Sequence, residues 1–170
     1  MTQQQMVQEF RDTFGVPTPK VPTVPDAETR ELMCKLIVEE SFEFCEAAGF
    51  NVLMRDGKVI LRKSDTNPNL AEMMDATADL KYVTIGAERF CGVDGDAVFA
   101  LVHQTNMAKT WTPEQVEAYQ FDTKSPPLHF EEVDGMFPQW VAKNPAGKII
   151  KPADWKKPDI EKELKRQAGG

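Results

Sequence analysis

The segment VEESFEFCEA, residues 38–47, sets glutamates into what otherwise reads as the inner face of a helix. Around it, Met33, Leu36, Ile37, Phe44 and Ala47 recur at the three- and four-residue steps of an apolar helical stripe. Glu40 falls inside that stripe and Glu43 lies one turn further on. A carboxylate that faces a core is costly unless something neutralises it. The next long helical pattern, LAEMMDATADLKYVTIG (residues 70–86), repeats the anomaly: Glu72, Asp75 and Asp79 follow steps of three and four and share one face, which continues through Tyr82. Like charges one turn apart on a helix repel. No Lys or Arg interrupts that face before Lys81. A solvated charge stripe accounts for either helix alone more readily than for two neighbouring helices that carry matching clusters. Antiparallel packing would set the clusters face to face, where a hard divalent cation resolves the repulsion. Mg²⁺ or Mn²⁺ takes carboxylate oxygens and keeps waters and positions for substrate phosphates.

The rest of the chain is read around that pair. Residues 2–14 form an amphipathic helix with Met6, Val7, Phe10 and Phe14 inward. VPTPKVPTVPD, with four prolines, is an extended strap, and Asp26 can cap the helix that runs to about Ala48. FNVLMRDGKVILRKS alternates like a hairpin, at about residues 51–62, with Asp56-Gly57 as its turn. Asn67, Pro68 and Asn69 open a helix from about Leu70 to Phe90, and another spans about Gly95 to Lys109. After a Thr112 cap, PEQVEAYQ reads as one more short helix. The expectation is an all-α fold: a four-helix-bundle core, a small hairpin insertion and an extended Pro/Lys-rich C-terminal tail. A helical domain over 1–120 would precede a tail over 121–170 that packs on it or on a neighbouring subunit.

Composition sets the bounds. At 170 residues and a formal charge of −7 the chain does not suit general nucleic-acid binding, which asks for a basic surface. Lys143 to Arg166 holds eight basic and four acidic residues, so the remainder stands at about −11. No apolar run approaches the ~20 residues needed to span a membrane, and the polar start does not read as a signal peptide. Cys34, Cys45 and Cys91 read as reduced thiols and the protein as cytoplasmic. Zinc and di-iron sites do not fit: there is no Cys-x-x-Cys pair, and neither His103 nor His129 follows a glutamate by three residues. In VFALVHQTNMAKTW, Phe99, Val102, Asn106 and Lys109 share a face, where Asn106 offers amide donors and Lys109 a point charge for phosphate.

Taken together, Glu39-Glu40-x-x-Glu43, then Glu72-x-x-Asp75, then DLKYVTIGA and VHQTNMAK at this spacing resemble the MazG-like all-α nucleoside triphosphate pyrophosphohydrolases. Among these the chain is most similar to the phosphoribosyl-ATP pyrophosphohydrolase-like proteins of bacteria and phages, from about Met6 to Ile160, including the closing GKIIKPADWKKPDI. The resemblance implies Mg²⁺ or Mn²⁺ held by Glu40, Glu43, Glu72 and Asp75, with Asp79 a further ligand. It implies Glu39 as base for the attacking water, although Glu39 and Glu40 could exchange roles. Asn106 and Lys109 would hold phosphate oxygens and Tyr82 would contact sugar or phosphate. The implied reaction cleaves the α–β bond of an NTP or dNTP, a purine deoxynucleotide such as dGTP, to monophosphate and pyrophosphate. The enzyme would be a homodimer or homotetramer in the cytoplasm, or in the host cytoplasm if phage-encoded. Phosphoribosyl-ATP hydrolysis is the alternative enzyme reading; a non-catalytic nucleotide-binding module and a purely structural acidic bundle are the others.

Overall fold

A computed structural model describes residues 1–122, 124–135 and 139–169. Its helices are α1 (Gln3–Thr13), α2 (Ala27–Ala47), α3 (Leu70–Phe90), α4 (Gly95–Met107), α5 (Pro113–Phe121) and α6 (Ile160–Gln167). Its strands are β1 (Phe50–Arg55), β2 (Lys58–Lys63), β3 (His129–Val133), β4 (Gln139–Lys143) and β5 (Ile149–Ile150). The chain divides into two compact units. One runs from Met1 to Asp96 and includes the chain from Leu164 on; the other runs from Ala97 to Glu163.

In the first unit α1, α2 and α3 each start on a cap. Thr2 and Gln5 form a capping box on α1, the Asp26 side chain accepts from Thr29 N at 2.8 Å, and Asn69 Oδ1 accepts from Ala71 N at 3.0 Å. The face α1 buries differs from the expected one. Val7 is buried, but so are Gln4 and Arg11, whereas Met6, Phe10 and Phe14 remain largely exposed. The polar pair is satisfied: Gln4 Nε2 donates to Glu88 Oε2 at 2.5 Å, and Arg11 Nε donates to Thr18 Oγ1 at 2.8 Å. The Arg11 guanidinium also lies 4.0 Å from the Phe90 ring centroid. Hydrogen bonding to α3 and to the proline strap, with a cation–π contact, therefore outweighs simple burial of the phenylalanines.

Helices α2 and α3 pack along one another, and Asn69 N donates to Ala47 O at 2.9 Å, which sets the start of α3 against the end of α2. They therefore run antiparallel. Between them, β1 and β2 pair antiparallel from Phe50↔Lys63 to Arg55↔Lys58, a register one residue longer at each end than expected. Asp56 and Gly57 both take positive φ, 51° and 70°, as a two-residue type I′ turn requires.

The all-α expectation is overturned. Among the described residues six helices stand beside two antiparallel sheets of five strands, with 50% of those residues helical and 15% in strands. The boundary between the units falls within the first turn of α4, so α1–α4 do not make one compact four-helix unit. Within the region expected to be an extended tail, β3-β4-β5 form a sheet and α6 is a helix. Trp111 and Trp140 bridge, and Trp111, Val116 and Ala142 are the buried centre of the second unit. Tyr119, Leu128, Phe130, Trp140 and Ile150 pack around them, and Trp111 Nε1 donates to Ile150 O at 2.8 Å. Aromatic residues far apart in sequence supply this core, and the prolines and lysines between them obscure the short alternating strands. Thr123, Met136, Phe137, Pro138 and Gly170, also assigned to the tail, lie outside the described residues.

Candidate active site

The apolar stripe of α2 is half-buried against its neighbours at Met33, Leu36, Ile37, Phe44 and Ala47, and Glu40 shares that half-buried state. Its Oε2 is fully occluded and has no hydrogen-bond partner among the described residues. Burial raises the pKa of Glu40 above the usual carboxylate value, and the charges of Glu43, Asp79, Glu39 and Asp75 push it the same way. Antiparallel α2 and α3 thus bring their acidic clusters into one electrostatic field. Lys35 pairs with Glu31 at 2.7 Å, nearer the start of α2. Among the described residues, none of Glu39, Glu40, Glu43, Glu72, Asp75 or Asp79 has an ion-pair partner.

Beside this field lies a cavity of about 320 Å³, lined by Glu43, Glu46, Glu72 and Asp75 from the helices and by Thr66 and Asn67 from the segment that joins β2 to α3. Gly49 seats that segment. It takes φ +83°, and a Cβ there would come within 3.3 Å of Pro68 Cγ and 3.4 Å of Thr66 O. Ser64 N donates to Gly49 O at 2.8 Å and closes the hairpin base.

Glu39, Glu40 and Asp79 lie along the same two helices without lining this cavity, and Tyr82 does not line it either. The Tyr82 ring meets Phe10 edge-on at 5.7 Å and lines a separate cavity with Met6 and Met74. Asn106 is exposed near the end of α4, which stops at Met107, and Lys109 is half-buried in the following turn, where its N–H donates to Asn106 O at 3.2 Å. Both belong to the second unit. Glu46 lies one helical step beyond Glu43, in the FCEAAGF stretch whose place beside the acidic cluster the sequence already suggests; Thr66 and Asn67 reach the cavity only through the fold.

A divalent ion is tested by these same groups. Among the described residues no three His, Cys, Asp or Glu side chains are assembled into a ready-made coordination group. A closed all-protein cage of the zinc type is built from such a group. Mg²⁺ is instead commonly held by one or two carboxylates, with the remaining positions left to water and phosphate. The occluded, unpartnered Glu40 oxygen and the uncompensated acidic field fit such an ion.

The sequence model of the phosphoribosyl-ATP pyrophosphohydrolase family matches residues 7–106, and no curated protein matches the chain. The match covers more than half of the sequence and includes both acidic clusters and the hairpin. The chain belongs to the phosphoribosyl-ATP pyrophosphohydrolase family, within the MazG-like superfamily.

Proposed function

We propose, with membership of this pyrophosphohydrolase family as the premise, that the protein hydrolyses the α–β bond of an NTP or dNTP to monophosphate and pyrophosphate and so adjusts nucleotide pools. The observation that carries this reading is the occluded Glu40 oxygen, unpartnered among the described residues and set among Glu39, Glu43, Asp75 and Asp79. Glu40, Glu43, Glu72, Asp75 and Asp79 would hold Mg²⁺ or Mn²⁺. When bound, the ion supplies neutralisation of the phosphate charge and acidification of bound water. Glu39, exposed beside Glu40, takes the proton of the attacking water. The water oxygen bonds to phosphorus as the bridging oxygen leaves with pyrophosphate. Asn106 and Lys109 are assigned to phosphate oxygens and Tyr82 to sugar or phosphate. The chemistry asks for positioning and charge rather than a covalent nucleophile.

The family match equally favours phosphoribosyl-ATP as substrate, since the same bond breaks and the same pyrophosphate leaves. One assay separates the two. Pyrophosphate release is measured from the common NTPs and dNTPs and from phosphoribosyl-ATP, with Mg²⁺ and with Mn²⁺, on the wild type and on Glu40→Gln. Turnover of an NTP or dNTP that the variant loses supports the proposal. Turnover of phosphoribosyl-ATP alone replaces it, and binding of nucleotide without any turnover leaves the non-catalytic module.

The proposed assembly is a homodimer or homotetramer. Leu32, Val38 and Phe42 on α2 and Met74 on α3 are each about half exposed, which leaves apolar helix surface for a second copy to cover. Light scattering that returns a mass near the 19.1 kDa of one chain would refute it.

A further inference from the structure

We propose that the β1–β2 hairpin is a docking arm, which lies on α2 of a second copy of this chain and supplies Arg55 and Lys58 to that copy's active site. The hairpin is amphipathic in the register it adopts. Residues directly opposite one another share a face, so Phe50, Val52, Met54, Val59 and Leu61 make an apolar face, while Arg55, Lys58 and Arg62 stand on the other. Yet from Phe50 to Lys63 only Val52 is half-buried, and Met54 and Val59 are 64% and 63% exposed. β1 touches α2, whereas β2 packs chiefly on β1. A two-stranded ribbon is marginally stable by itself in water. An apolar face on such a ribbon gains from being covered, and among the described residues nothing covers it.

The chain itself carries the matching surface. On α2, Val38 and Phe42 lie one turn apart, each about half exposed, and the exposed Glu39 and Glu46 flank Phe42 at steps of three and four. An apolar strip edged with carboxylates fits an apolar ribbon edged with cations. The charges agree: residues 50–63 hold four Lys or Arg against one Asp, while α2 and α3 together hold ten carboxylates against four Lys or Arg. The same balance disfavours an anionic membrane or nucleic acid as the cover, because the hairpin springs from that acidic helix pair. The lengths agree as well. A six-residue strand spans about 20 Å, enough to cover α2 from Val38 to Glu46, about 12 Å of helix.

The arm also brings what the site lacks. No Lys or Arg lines the carboxylate cavity, although phosphate is held best by cations. Among the described residues Lys58, Arg62 and Lys63 have no ion-pair partner, and Arg55 meets only Asp56, at 3.8 Å. Paired strands are about 5 Å apart, so long side chains on the far face of the ribbon reach around its edge. Glu39 is the proposed base and Glu46 lines the cavity, so an arm laid along them puts its cations beside the substrate phosphates. This role of the cations rests on the pyrophosphohydrolase reading; the docking does not. Each copy gives one arm and receives one, which closes the pair as a two-fold dimer.

The test reads docking first, on the wild-type chain. Light- and heavy-isotope copies are unfolded together in urea, refolded, and treated with a carbodiimide, which joins lysine to carboxylate. Mass spectrometry is expected to find Lys58 or Lys63 joined to Glu39, Glu43 or Glu46 in pairs of one light and one heavy peptide. Links between like-labelled peptides only, or no link from the hairpin to α2, overturn the docking arm. Turnover then reads the cations. Glu40→Gln and the double variant Arg55→Glu/Lys58→Glu each release pyrophosphate more slowly than wild type, the double variant by roughly 10-fold or more, because charge-assisted contacts are lost. Refolded together, the two variants recover turnover, since the Glu40→Gln copy lends its intact arm to the intact site of the other. Absence of that recovery overturns the supply of cations. Mixed-label links without turnover by the wild type instead refute the hydrolytic reading and leave the docking arm standing.

Discussion

The α2–α3 pair and the sheet of the second unit solve packing in opposite ways. Along its 21 residues α2 has no buried residue, and α3 buries only Ala76. In the second unit Ala142 is fully buried and Trp111 is only 5% exposed, with Trp111, Tyr119 and Phe130 in mutual edge-to-face contact at 5.4–5.8 Å. Aromatic rings that bury most of their area supply stability directly. The helix pair instead places acidic groups where apolar ones would pack, and its field of like charge opposes close approach. The contrast teaches that the second unit gathers its aromatic residues into a buried centre, whereas the α2–α3 pair keeps its carboxylates and several large apolar side chains at the surface.

That contrast can be broken most sharply at its packed side. Trp111→Ala removes the centre of the aromatic cluster and is expected to cost about 3–5 kcal/mol, read as a lower urea midpoint for the second unit. A loss under about 1 kcal/mol would mean that the cluster is not the core. On the acidic side, Glu40→Gln should leave folding intact yet lower turnover by about 10²–10³-fold, the scale of losing one preorganised electrostatic group. Retained turnover would remove Glu40 from the site.

Metal provides the next measurement. Mn²⁺ at 100 times its dissociation constant should stabilise the first unit by about 2.7 kcal/mol, an increment reversed by EDTA and lost in Asp75→Asn. A melting temperature indifferent to Mn²⁺ would leave a purely structural acidic pair. The smallest effect concerns pH. Glu40 has a raised folded-state pKa, so the folded protein holds its proton to higher pH than the unfolded chain does. Without metal, stability therefore rises as pH falls through the folded-state pKa of Glu40, and the gain is complete once pH is below the unfolded value. Glu40→Gln should flatten that rise; an unchanged slope would assign it to other groups.

Local chemistry made much of the first unit legible. Asp26 and Asn69 act there as the caps their types suggest, as Thr112 does in the second unit; Asp56-Gly57 turns the hairpin, and α3 spans Leu70–Phe90 as its periodicity indicates. The acidic face of α2 and α3 was readable for the same reason: side chains three and four apart on a helix share a face wherever the helix goes. The burial of Gln4 and Arg11 was not readable, because it depends on Glu88, Thr18 and Phe90 arriving from other segments. Nor was the sheet at 129–150. Its strands are short, and their stability comes from Trp111 and Tyr119, outside the strands themselves.

By itself, then, the sequence determined helices α1 to α5, the hairpin turn, the family and the carboxylates that make a metal-dependent pyrophosphohydrolase reading natural, because each follows from periodicity, capping or motif spacing. Tertiary structure alone decided that Glu40 is the occluded member of the acidic group, that Tyr82 turns toward Phe10, and that Asn67 faces the carboxylate cavity. Burial and cavity walls are relations between segments. The Gly49 hinge and the antiparallel seating of α3 on α2 create them, and no local pattern encodes where those segments meet.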